Sequence, residues 1–171
     1  MGRPLLLYLE ASLYLRLLPR CKVSVRAMPY VIKTDPFNAS PGDAVTIAEK
    51  PMYGGSEIRP GDEAFIWFSE TRGGNGLAWQ AHVVALIGRA EGRDIAVTLC
   101  LTNRGPADAL SKEDLEPLRE VRDGAPLSEI ARKLYYQAHN KIAALSHNQA
   151  DFLRRFFDPD SDLLVLRQRV S

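Results

Sequence analysis

Between Glu63 and Thr102 the chain repeats one pattern three times: a short run of alternating side chains closed by residues that force a turn. Side chains on a strand point to opposite faces in turn, so such runs read as strands. In Glu63–Ser69, Ala64, Ile66 and Phe68 point one way, and Phe65 and Trp67 the other. Arg72-Gly-Gly-Asn-Gly76 turns the chain and Leu77–Ile87 follows as a long strand. After Glu91-Gly-Arg93, Ile95–Thr102 returns as its antiparallel hairpin partner. This region is too short for a sandwich and lacks βαβ spacing, so a small closed or nearly closed barrel is expected.

Upstream, Tyr30-Val-Ile-Lys33 is a β-branched run ended by Asp35-Pro36. A long irregular connection follows, with Pro36, Pro41, Pro51, Pro60 and four glycines, and a short strand is expected at Ala44–Ile47. Downstream the period becomes helical. Ser111 with Asp114 opens a short helix, and Leu127–Gln137 repeats apolar residues at helical spacing. Ser146-x-x-Gln149 is a capping box for a helix over Asn148–Phe157, stopped by Asp158-Pro159. Leu163–Leu166 could add a last strand. The fold class is α+β, a small β-barrel with helices concentrated in the C-terminal half.

With 171 residues, 46% hydrophobic and 25% charged, the chain is neither disordered nor fibrous. We read residues 28–171 as one domain and residues 1–27 as a dispensable extension ahead of a functional start at Met28. Glu10 and Arg16 interrupt the leucine-rich stretch of that extension, so it makes neither a membrane span nor a good secretory signal. The extension carries five basic residues against one acidic, leaving the remaining 144 residues with seventeen basic and twenty acidic. A body so charged cannot hold nucleic acid by bulk electrostatics; a pocket or local patch would be needed. Cys21 and Cys100 are too few for a disulfide framework, and a cytoplasmic setting is expected.

Chemistry-bearing motifs are sparse. His82, His139 and His147 make no metal-binding pattern, no C-x-x-C occurs, and no Walker, dinucleotide or G-x-S-x-G motif is present. No catalytic residue, metal or cofactor is assigned. Aromatic residues near loops stand out instead: Tyr30, Phe37, Tyr53, Trp67, Phe68 and Trp79. Pairing about the Gly73–Asn75 tip sets Trp67 within a residue or two of Trp79. The two indoles form either two walls of a cage for a flat base or plugs of the barrel core.

Three stretches resemble the EVE domain of the PUA-like superfamily, which also includes the YTH and ASCH domains. Tyr30-Val-Ile-Lys-Thr-Asp-Pro36 is similar to its opening strand, with tyrosine for the usual tryptophan and Thr-Asp for Ser-Glu. Arg59-Pro-Gly-Asp-Glu-Ala-Phe-Ile-Trp67 is similar to the Gly-Asp turn entering a barrel strand. Gly76-Leu-Ala-Trp-Gln-Ala-His-Val83 is similar to the strand after it. The resemblance spans residues 28–105, and a Pro/Gly-rich loop through Tyr53 replaces the family's Asp-Gly-Val-Arg-Asn stretch.

The resemblance implies a reader of a modified base in DNA or RNA, flipped into an aromatic pocket, with an effector protein as a possible partner. Lys33, Thr34 and Asp35 would line the pocket edge and Trp67 or Trp79 a wall. Tyr53 and Phe37 join them by loop position, with Arg72 and Lys141 as phosphate contacts. The alternatives are an ASCH-like amidohydrolase using Lys33, Thr34 and a carboxylate such as Glu70, or a protein-interaction domain with both tryptophans buried. Adjacent strand residues face opposite ways, so Lys33, Thr34 and Asp35 cannot all converge on one substrate.

Overall fold

The alternating runs become strands. In the computed structural model, which describes residues 27–48, 54–88, 95–107, 109–136 and 141–161, six strands form one mixed sheet. They are β1 (Pro29–Thr34), β2 (Ala44–Ile47), β3 (Glu63–Phe68), β4 (Gly76–Ile87), β5 (Ala96–Arg104) and β6 (Ile142–Ala144). Residues 1–26, Tyr53, the turn at residues 91–93, His139 and the strand expected at Leu163–Leu166 lie outside the described residues.

The sheet order is β2-β5-β4-β3-β1-β6. The hairpin of β4 and β5 is antiparallel as expected, whereas β1 runs parallel to β3. The three-residue β6, which alternation is too short to reveal, pairs antiparallel with β1. The sheet is open: the short edge strands β2 and β6 are not hydrogen-bonded to each other, so of the closed or nearly closed barrel expected, the closed form is corrected. Side chains fill the seam instead. A Cβ on Gly55 would fall 2.5 Å from Ile95 Cδ1 and 2.7 Å from Ile142 Cδ1, so any larger residue there would have to push those two side-chain ends aside.

The sheet still curls, because β4 carries irregularities against both neighbours and bulges bend the strand that holds them. One face closes over Tyr30, Ile32, Ala64, Ile66, Trp79, Val83 and Leu99, joined by Ile47 of β2 and Ile142 of β6. The other face holds Val31, Phe65, Trp67 and Leu77 and takes the helices.

Three helices cover that second face: α1 (Lys112–Leu115), α2 (Pro126–Ala131) and α3 (His147–Arg154). The Asp114 carboxylate accepts from the Ser111 N–H at 2.8 Å and caps α1. Gln149 and Ser146 cap α3 reciprocally, at 2.9 and 3.3 Å. α2 is shorter than its sequence period suggests and widens into a π turn over Arg132–Tyr136, a local rearrangement that often accompanies functional sites.

Candidate functional site

β1 and β3 end side by side where β4 begins. Thr34 stands opposite Phe68, and Phe68 opposite Gly76. The Ser69 N–H donates to the Thr34 carbonyl at 2.8 Å, and the Gly74 N–H donates to the Ser69 carbonyl at 3.0 Å. These bonds pin a single 3₁₀ turn, Glu70–Arg72, over the strand ends.

Alternation along β1 and β3 divides the neighbouring side chains between two faces. Lys33 and Trp67, opposite each other, point to the helical face; Thr34 and Phe68 point to the concave one. Trp79 also faces the concave side, paired with Ile66, while Trp67 pairs with Leu77. Ala78 is the extra residue between these pairs. Were Ala78 an ordinary position of the ladder, opposite Ile66, Trp79 would share a face with Leu77 and hence with Trp67. The two indoles are therefore back to back across the sheet, only 1% and 2% exposed, and cannot be two walls of one cage.

On the helical face, Glu70 gathers three partners. Its Oε1 accepts from Trp67 Nε1 at 2.8 Å and from the Tyr135 hydroxyl at 2.6 Å. Its Oε2 lies 3.7 Å from Lys33 Nζ, which also sits 4.5 Å from the centre of the Tyr135 ring. Burial draws the Lys33 ammonium below its ordinary range, against the pull of Glu70. Burial first, then the hydrogen bond to Glu70, raises the Tyr135 phenol far above its ordinary range. Lys33 thus meets Glu70, but Thr34 faces away and Asp35 lies 3.7 Å from Arg72 in an exposed ion pair. The side chains required by the amidohydrolase alternative are not brought together.

On the concave face a groove of about 210 Å³ opens at the mouth of the curled sheet. It is lined by Pro36 and Phe68, by the Gly73–Gly76 strip, and by Trp79, Arg104 and Pro106. Phe37 packs edge-on against Phe68, with ring centres 5.0 Å apart. Of the residues assigned to a base pocket by sequence, Trp79 lines this groove and Thr34 borders it through Phe68. Asp35 and Arg72 lie at the adjoining strand ends, whereas Lys33 and Trp67 are behind the sheet. The Lys141 carbonyl accepts from the Lys33 N–H at 2.8 Å, and its charge is felt by the Lys33 ammonium. Tyr53 is outside the described residues.

Among the residues of these clusters not singled out by sequence are Arg104 and Asn75 in the groove and Tyr135 behind it. Tyr135 sits in the π turn, which its sequence does not signal. Arg104 stands opposite Trp79 in the hairpin, a position that counting back from the turn could have found. Among the described residues no group of three or more His, Cys, Asp or Glu is placed to hold a metal ion, and no helix is long and apolar enough to cross a membrane.

The architecture is a PUA-like α+β fold, a mixed six-stranded sheet with three helices in the C-terminal half. A solved structure that shares it is the human THYN1 protein in complex with 5-methylcytosine-containing DNA. The TM-score is 0.56 at 14% identity, and the match covers 74% of this chain and 95% of that one. At that identity the likeness shows the fold alone. No protein-family model and no curated protein sequence matches the chain.

Proposed function

We propose that this chain is a nucleic-acid-binding module that takes one base, preferentially a modified one, into the groove lined by Trp79. The observation that carries the reading is the groove itself: an aromatic-lined slot at the mouth of the sheet, beside the end of β1. Its volume of about 210 Å³ is below the roughly 300–1,000 Å³ of pockets for drug-sized ligands, which suits a single flat heterocycle. Stacking on aromatic rings contributes about 1–3 kcal/mol per base and leaves the base edge to be read by hydrogen bonds. Phe68, Trp79 and the side-chain amide of Asn75 supply those two kinds of contact. The fold neighbour, described as a complex with 5-methylcytosine-containing DNA, supports the choice of ligand class.

The test is titration with oligonucleotides that differ only in cytosine or 5-methylcytosine at one position, followed by tryptophan fluorescence. The modified strand should bind more tightly and quench emission. Trp67→Phe should keep the quench, since its ring lies behind the sheet, and Trp79→Phe should lose most of it. Equal binding of both strands would sink the reading of a modified base, and fluorescence that responds to neither strand would favour a protein-interaction domain.

A further inference from the structure

Arg104 covers the surface that a bound base would need. It is the cross-strand partner of Trp79, and its guanidinium carbon lies 5.7 Å from the centre of the indole ring. The Trp79 side chain is almost wholly buried, yet it lines the groove, so the guanidinium closes part of its accessible face. Arg104 itself is exposed at the end of β5, and no carboxylate among the described residues pairs with it. A cation held only by an aromatic face at an exposed site is held weakly and can swing aside.

We propose that Arg104 is a placeholder cation. It occupies the indole face in the empty protein, yields it to the incoming base, and then contacts the phosphate chain that carries that base. This rests on the base-reading function proposed above and adds to it a residue with two opposed effects. Giving up the indole weakens binding of the base alone, whereas the freed charge strengthens binding of a base attached to phosphates. The body of the chain is acidic, so a local cation that arrives at the phosphate only when the slot is filled would favour flipped bases over passing backbone.

The experiment compares wild type, Arg104→Ala and Arg104→Gln with two probes over a range of salt concentrations. One is the neutral nucleoside 5-methyl-2′-deoxycytidine; the other is a single-stranded oligonucleotide with one 5-methylcytosine. The nucleoside should bind both variants roughly two- to five-fold more tightly than wild type, the size of one exposed cation–π contact. The oligonucleotide should bind them more weakly at low salt, with a log–log salt slope shallower by about 0.7, one phosphate contact on a single strand. Nucleoside affinity that is unchanged or weakened in both variants, or an unchanged salt slope, overturns the proposal while leaving base reading intact. A wild-type protein that binds neither probe overturns both.

Discussion

Glu70 shows how one carboxylate can organise a corner of the protein from behind its functional face. It satisfies an indole N–H and a phenol O–H that are largely shut away from water, and it neutralises a half-buried ammonium. It also begins the turn that leads into the glycine side of the groove. Removing it leaves three donors short of a partner, and each buried polar group so stranded costs roughly 1–3 kcal/mol before water reaches it. Glu70→Ala should therefore lower unfolding stability by about 2–3 kcal/mol in urea, whereas Glu70→Gln, whose amide oxygen can still accept, should cost about 1 kcal/mol. Equal losses in the two variants would mean that the Lys33 charge pair, and not the shared oxygen, dominates.

Tyr135 adds a pH signature. Its phenol is held protonated in the folded chain well past the value of about 10 at which an unfolded tyrosine ionises. A pKa raised by folding means stability that is complete below the unfolded value and lost as pH climbs beyond it. Between pH 9 and 11 the wild type should lose stability more steeply than Tyr135→Phe. Parallel denaturation curves across that window would show that Tyr135 ionises freely in the fold.

At the scale of elements, β4 does the most to shape the molecule. Its first residue, Gly76, has φ of 89°, and a Cβ there would fall 2.1 Å from the Leu110 carbonyl oxygen. Gly76→Ala should therefore cost at least about 3 kcal/mol, through left-handed strain and a clash with backbone that cannot move aside. A thermal midpoint within a degree or two of wild type would contradict this.

The same strand shows what was legible beforehand. Its existence, its hairpin with β5 and the facing of Phe65 and Trp67 against Ala64 and Ile66 followed from alternation and the glycine turns. Both serine caps could be read from three-residue spacings. The parallel pairing of β1 with β3 could not, because it is made across a long connection with no periodic signal. Nor could the separation of the two tryptophans, because an extra residue in a strand leaves no compositional trace. Against β5 the irregularities fall one on each strand and cancel, so Arg104 meets Trp79 just as an unbroken ladder from Ile87 and Ala96 would place it. Against β3 nothing cancels, and the pocket expected between Trp67 and Trp79 is split between the two sides of the sheet.

As a whole molecule the protein keeps its stability and its candidate site in different places. One hydrophobic cluster lies inside the curl of the sheet and a second lies under the helices, with β1 and β3 contributing to both. The groove sits at the rim, lined largely by loop and strand-end residues. Ala78, the surplus residue of β4, is also part of that rim. Excising it would not scramble the interior, since Trp67 would still meet Leu77 and Ile66 would still meet Trp79 in a now regular ladder. What would change is the local bend, and with it the width of the slot. An Ala78 deletion should melt close to wild type while its affinity for a methylated oligonucleotide shifts severalfold; a collapse of melting temperature would refute that. The length of one hairpin arm thus becomes a dial for ligand fit, adjustable by a single codon while the hydrophobic interior stays as it was.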